Sequence, residues 1–187
     1  MKDIVQTGDP VLRAKARTVP ASEFKTTAWK KLIASMTEAL DAQADGVALA
    51  APQIGVSKRV FVVRYDRMLP DPEDGSKRPA DVGVYVNPEI IRRSRKKDEM
   101  DEGCLSVRGI YGRIMRHERA TVRAQDEHGV SFTRGAGGIL AQAFQHEIDH
   151  LDGILFIDSA TSTREVAPED RPKRSRAQEG WKLATNE

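Results

Sequence analysis

The sequence predicts an α+β fold, a small mixed domain of short strands packed around a central metal-binding helix. Three observations lead there. Apolar residues recur with helical spacing in two segments, near residues 22–43 and 138–151. Around and between them lie short β-branched or alternating runs bounded by Gly, Pro, Asn and Asp, the pattern of strands and turns. No repeat with a period of about 20 to 50 residues is visible, which sets aside solenoids and propellers.

Each element has its own grounds. Val5 to Pro20 is turn-rich, with Gly8-Asp9-Pro10 near its start. A first helix is expected from about Ser22, as N-cap, to Gln43, since Trp29, Leu32, Ile33, Met36 and Leu40 form one stripe and Asp45-Gly46 follows. Val47 to Ala51, Arg59 to Tyr65 and Val82 to Asn87 read as strands, the last ending before Pro88. Arg67 to Asp81, with Pro70, Pro72, Pro79 and Gly75, reads as an exposed loop. Glu118 to Asp126 and Val130 to Arg134 flank Glu127-His128-Gly129 and predict a hairpin. The second helix is expected over Gly138 to Leu151, capped by Gly153. From Ser162 the chain turns polar, so the expected division is a domain over 1–163 and a flexible tail over 164–187.

Composition bounds the function without naming it. At 187 residues a single domain buries enough surface to need no disulfide. Lys+Arg 30 against Asp+Glu 28 leaves +2, too balanced for a dedicated nucleic-acid or membrane-surface binder. Cys104 stands alone, so no intrachain bridge can form and a reducing compartment fits. The opening residues lack the apolar core of a signal peptide, and apolar runs such as Val60 to Val63 fall far short of the ~18 residues of a membrane span. The expected location is cytoplasmic.

Chemistry concentrates in Gln145-His146-Glu147-Ile148-Asp149-His150, an H-E-x-x-H on the second predicted helix. Side chains four apart sit one turn above each other, so both imidazoles reach one metal ion, and Glu147 stands beside them as a general base. Two histidines leave a third ligand to find. Gly153 occupies the glycine position of a metzincin continuation, but Phe156 stands where its histidine belongs. Glu165 and Glu169 lie in the polar tail, a poor place for a ligand. Cys104, within Glu102-Gly103-Cys104-Leu105-Ser106, is the remaining soft donor; one thiolate with two imidazoles suits zinc or ferrous iron.

Three segments in order, Gly46-Val47-Ala48-Leu49-Ala50-Ala51-Pro52-Gln53, Glu102-Gly103-Cys104-Leu105-Ser106 and Gln145-His146-Glu147-Ile148-Asp149-His150-Leu151, resemble peptide deformylase. Thr7-Gly8-Asp9-Pro10-Val11-Leu12-Arg13 and Asn87-Pro88-Glu89-Ile90 extend the resemblance over about residues 4 to 160. It implies removal of the N-formyl group from the initiator methionine of nascent chains, with Fe2+ as metal and Zn2+, Ni2+ or Co2+ as substitutes. Cys104, His146 and His150 would then bind the metal, with Glu147 the general acid/base. Gln53 and the backbone N–H of Leu105 would stabilise the oxyanion. Small residues around Gly46 and Ala48 would let an extended substrate lie close as an added strand. Ile139, Ala143 and Val47 would wall a pocket for the methionine side chain.

The chain departs from the family pattern at four places. Ala48 replaces a usual Gly, Arg108 a common Pro, and Ile114-Met115-Arg116 the frequent Val-Pro-Arg. Arg116 remains able to pair with Glu102 behind the ligand Cys104. Gln142 adjoins the pocket wall where some relatives are apolar.

Two other classes compete. A zincin-like peptidase would share the ligand helix and hydrolyse ordinary amides. A ribosome- or nucleic-acid-binding protein would use Arg92 to Lys97, five cations in six residues, or Arg171 to Arg176, four in six. Weak ribosome contact through these runs is also compatible with a deformylase, although Asp98, Glu99, Asp101 and Glu102 directly follow the first.

Overall fold

In the computed structural model, residues 2–69, 76 and 78–167 are described. Among them the strands are β1 (Ala48–Ala50), β2 (Val60–Arg64), β3 (Val82–Arg93), β4 (Lys97–Cys104), β5 (Val107–His117), β6 (Arg119–Gln125), β7 (Ser131–Gly137) and β8 (Ser162–Glu165). The helices are α1 (Thr27–Asp41) and α2 (Gly138–Leu151). Strands form two antiparallel sheets, one in the order β1-β2-β3-β6-β7 and one in the order β4-β5-β8. The α+β expectation holds.

The apolar run of β2 is continuous because both of its faces are covered. Phe61 and Val63 join Tyr85, Phe144, Ile148 and Leu151 in the core beneath α2, whereas Val60 and Val62 join Trp29, Met36, Leu40 and Leu49 in the core beneath α1. Phe61 stacks on Tyr85 at 4.7 Å between ring centroids, and Phe144 lies 5.0 Å from Tyr85. A third cluster of Leu12, Val107, Ile114, Leu155 and Phe156 holds the smaller sheet to the chain following α2. Thus α2 contacts strands of both sheets and occupies the expected central place.

Several boundaries differ from the sequence expectation. Helix α1 begins at Thr27, capped by Thr26 Oγ1 accepting from Trp29 N at 3.1 Å; Ser22 lies instead in a 3-10 turn over Ala21–Glu23. Phe24 packs edge-on against Trp29 and pins that entry turn. Strand β3 continues through Pro88 to Arg93 because the proline falls within the register shift between Val86 and Glu89, a bulge that needs no ladder N–H there. Asn87, at φ 50°, anchors this bend by bonding the N–H and the C=O of Val19.

Three strands were not foreseen, β4, β5 and β8. The charged segment Lys97–Cys104 forms β4 and pairs with β5, and the supposed tail opens with β8, paired with β5 from Ile110 to Arg113. β8 straddles the expected 163/164 division. The remainder of that tail, 168–187, with Glu169 and the run Arg171 to Arg176, lies outside the described residues, as do Pro70, Pro72 and Gly75. Arg67 is buried rather than looped out: it donates to the carbonyl of Leu40 in the last turn of α1 and to those of Gln43 and Gly46 in the turn that follows.

Candidate metal centre

Helix α2 opens at Gly138, with φ +55°, directly after β7, and runs unbroken to Leu151. Its end is turned by Gly153 at φ +77°, where Gly153 N donates to His150 O and Ile154 N to Asp149 O. This straight helix sets His146 and His150 one above the other, with ring centroids 4.8 Å apart. Cys104 enters from the end of β4, where the register with β5 shifts as the chain turns at Leu105 and Ser106. One donor atom from each of Cys104, His146 and His150 lies within 4.8 Å of the others, and Cys104 Sγ is 3.1 Å from His150 Nε2. One sulfur and two imidazole nitrogens converging in this way fit a tetrahedral metal site with a position left for a further ligand.

The surrounding groups orient these donors. Glu102 is buried, and its Oε1 lies 2.6 Å from His146 Nδ1, which sets the tautomer that leaves Nε2 as the metal donor. Arg116 answers the Glu102 charge with two hydrogen bonds of 3.0 and 2.6 Å, as the sequence suggested, and with a third to Asp149 at 2.6 Å. Gln142 Nε2 adds a contact of 3.2 Å to Glu102 and one of 2.9 Å to Asp101 O. Burial alone would raise the Glu102 carboxyl; the charges of His146 and Arg116 overcome it and hold the group far below the ordinary carboxylate range. Burial opposes a charged His146, yet Glu102 and Cys104 raise its pKa well above the usual value. His150 goes the other way: burial, reinforced by the His146 charge, keeps it neutral.

Gln53 lies in the 3-10 turn after β1. Its Oε1 accepts from Ala50 N at 2.8 Å, and this turns Nε2 towards Cys104 Sγ at 3.6 Å and Ser106 Oγ at 3.3 Å. Glu147 is buried beside the ligands, and its Oε2 has no hydrogen-bond partner among the described residues; His150 Nδ1 is in the same condition. An unpaired buried carboxylate oxygen costs about 1–3 kcal/mol, so its place here is one a partner arriving with substrate can satisfy. Burial pushes the Glu147 pKa up to about 7, with Glu102 adding to the shift and His146 opposing it.

A cleft of about 200 Å³ opens over this cluster, and Gly46, Val47, Ala48, Leu105, Ile139 and Ala143 all line it. Its rim carries an ion pair between Arg108 and Asp45 at 2.9 Å, and Arg108 also bonds the Gln43 side chain. Gly46 has a packing reason for its size: a Cβ there would meet Leu40 Cδ1 at 2.9 Å and Leu105 Cδ1 at 3.1 Å. The leucines lie on the side where a Cβ would project, while Gly46 itself still lines the cleft.

A family model described as polypeptide deformylase matches residues 1–166. The chain belongs to the peptide deformylase family. It is 45% identical over 159 residues to the peptide deformylase of Desulforudis audaxviator, covering 85% of this chain and 93% of the relative. Against that of Halothermothrix orenii it is 48% identical over 151 residues, covering 81% and 88%. Among solved structures, a Synechococcus elongatus peptide deformylase in complex with actinonin superposes with a TM-score of 0.72 at 35% identity, covering 86% of this chain and 79% of that one. A Met-Ala-Ser-bound class I type b deformylase from Acinetobacter baumannii gives 0.73 at 32% identity, covering 83% and 96%. The chain is thus a hydrolase of a metalloenzyme family, and its Cys-His-His group is a potential metal site. No helix among the described residues is long and apolar enough to cross a membrane.

Sequence reasoning missed parts of this deformylase site. Asp149 behind Arg116, Ser106 under Gln53 and Arg67 behind Gly46 act through contacts between segments distant in the chain. Ser106 alone had a local signal, since it closes the Glu102 to Ser106 motif and its N–H donates to Cys104 Sγ at 3.3 Å.

Proposed function

We propose that this chain removes the N-formyl group from the N-terminal methionine of nascent polypeptides, with Cys104, His146 and His150 holding a divalent metal. Fe2+ is the native ion in this reading, and Zn2+, Ni2+ or Co2+ can substitute. The observation that carries it is the convergence of three donor atoms within 4.8 Å beside Glu147, whose buried oxygen lacks a partner. When bound, the metal acts as a Lewis acid and brings the pKa of water down to about 7.

The remaining steps belong to side chains and backbone. Glu147 takes a proton from the attacking water and passes it to the leaving amine, so formamide and water give formate and a free N-terminus. As the formyl carbon becomes tetrahedral, its oxygen gains charge. Gln53 Nε2 and the Leu105 N–H are the donors for it, and Ala50 N holds the Gln53 amide in the required sense. β1 is the edge of its sheet, which supports pairing with an extended substrate backbone. Val47, Ala48, Ile139 and Ala143 wall the methionine side chain, with Gly46 shaping the approach. The catalytic unit is residues 1–163 completed by the end of β8. Nascent chains as substrate make the cytoplasm the place of action.

The test uses metal-free chain reloaded with Fe2+ under anaerobic conditions and assayed on formyl-Met-Ala-Ser and acetyl-Met-Ala-Ser. Formate and free Met-Ala-Ser should appear from the first peptide alone. Cleavage inside the peptide with the formyl group retained would instead identify a zincin-like peptidase.

A further inference from the structure

We propose that Arg108 is a specificity-determining residue of the cleft, which donates a hydrogen bond to the main-chain carbonyl of the third substrate residue. The proposal rests on the deformylase reading and starts from what the free edge of β1 has left to offer. Arg64 N donates to Val47 O at 2.8 Å, so Val47 and Leu49 turn their backbone groups towards β2. By alternation, Gly46, Ala48 and Ala50 turn theirs to the open edge. Two of these three are already engaged. Ala50 N donates to Gln53 Oε1 at 2.8 Å. Gly46 O accepts from Arg67 Nη1 at 2.8 Å, and Gly46 N donates to Gln43 O at 3.2 Å. Ala48 is left with both groups for an added strand.

A substrate whose formyl group lies at Gln53 and whose chain leads towards Gly46 runs antiparallel to β1. Methionine, next to the formyl group, then pairs with Ala48, the second residue passes Val47, and the third comes opposite Gly46. Its carbonyl finds no donor in the strand, because the Gly46 N–H is spent on Gln43 O. Arg108 fills this gap. It comes from the start of β5 and lines the same cleft. Its Nη1 bonds both Asp45 oxygens, at 2.9 and 3.3 Å, and its Nη2 bonds the Gln43 side chain, which fixes the guanidinium beside Gly46. None of these bonds uses Nε, whose N–H has no partner among the described residues. A guanidinium held at two points loses little further freedom when it donates from a third. Asp45 balances its charge, so the donor favours an uncharged acceptor and treats acidic and basic side chains nearly alike. Reading a carbonyl that every residue carries suits substrates of any sequence.

The test uses full-length chain reloaded with Fe2+ and two substrates, formyl-Met-Ala-Ser amide and formyl-Met-Ala propylamide, the second filling the third position without a carbonyl. In wild type, KM should be about tenfold lower for the first, the scale of one charge-assisted hydrogen bond at a partly exposed site. Arg108→Ala should raise KM for the first about tenfold with kcat unaltered, as loss of uniform binding does, and move the propylamide by less than about twofold. Arg108→Lys keeps a charge for Asp45 but not the Nε–H, and should behave like Arg108→Ala. If Arg108→Ala melts early, Arg108→Met, which keeps the apolar stem and lacks the donor, replaces it. The proposal is overturned if both substrates lose equally, which would make the ion pair a brace of the cleft wall, or if neither changes. It is equally overturned if Glu and Lys in place of the peptide's Ser differ in wild-type kcat/KM by more than about threefold, beyond what a neutralised, partly exposed charge supports. Calorimetry with the same peptides on metal-loaded Glu147→Gln reads the gap as Kd without turnover. Peptides left intact by wild type, with the Kd gap present, would fell deformylation and keep the role of Arg108; formate released with no Kd gap would do the reverse.

Discussion

Replacing Arg116 by Met tests whether a buried charge network sustains both the fold and the metal centre. Arg116 is 7% exposed and Glu102 5%, so water screens neither charge. The substitution removes hydrogen bonds of 3.0 and 2.6 Å to Glu102 and leaves that carboxylate with His146 and Gln142. Breaking a buried pair from one side costs about 3–5 kcal/mol, because the surviving charge stays desolvated. Losing the contact to the half-exposed Asp149 adds at most about 1 kcal/mol. In a domain of this size each kcal/mol moves Tm by roughly 2–4 °C, so the melting temperature of the metal-free chain should fall by about 6–24 °C. Metal affinity, read by competition with a chromophoric chelator, should fall by roughly 10–100-fold as His146 loses its fixed partner. The double variant Glu102→Met with Arg116→Met should regain most of the Tm, since no lone charge remains, while metal affinity stays low. A single-variant Tm within about 2 °C of wild type, with metal binding unaltered, would refute the reasoning.

Glu147→Gln keeps the shape of the side chain and removes its basicity, so metal content should stay at wild-type level while kcat drops by about 10²–10⁴; retained turnover would end the general-base assignment. Glu102 also sets an acid dependence. Its folded pKa lies below the ordinary 4.5, so its stabilisation is complete above about pH 4.5 and fades as pH falls towards the folded value. Urea unfolding of metal-free protein from pH 6 to 2.5 should accordingly show a smaller loss in Glu102→Gln than in wild type, and parallel curves would exclude the linkage. Gly153→Ala forces a Cβ onto a residue at φ +77° and to within 2.5 Å of Arg13 O; a loss of about 2 kcal/mol, or roughly 4–8 °C in Tm, should follow, and an unchanged Tm would contradict it.

The elements that could be read from the sequence are those whose burial is written into their own residues. Helix α2 carries apolar side chains on every face that meets a sheet, and β2 is apolar from Val60 to Val63 because two helices cover it. Hairpin β6–β7 announces itself by Asp126, whose side chain accepts from His128 N and Val130 N in the turn. By contrast, β4 reads Lys-Asp-Glu-Met-Asp-Glu-Gly-Cys, with only Glu102 buried. What makes it a strand is β5, which supplies the ladder and the arginines that neutralise it, and for Lys97 to Glu102 the partner lies ten or more residues away and leaves no local periodicity. β8 is exposed along its whole length and holds by backbone pairing and the Arg164–Asp101 ion pair, with no buried side chain, so it resembles a tail. Arg67 looked like a loop cation because the carbonyls that need it belong to the end of α1 and to Gly46.

The same contrast divides the candidate centre. Its donors were legible because few residue types can bind a metal, and the helical repeat of His146 and His150 is short. What the helix alone cannot provide is a difference between its two histidines. That difference comes from β4: Glu102 sits against His146 Nδ1, and Cys104 Sγ against His150 Nε2, so one strand orients one ring and completes the ligand set beside the other. Glu102 points inward two residues before Cys104, as alternation along a strand requires, and the register shift at Cys104 re-aims the thiol. The candidate metal centre is therefore a property of the seam between the sheets, and the charged hairpin that the sequence hid is the element on which it depends. Glu99 and Asp101 pair with arginines of β5 and β8 and Asp98 with nearby Lys96, whereas Glu102 alone turns into the seam beside His146.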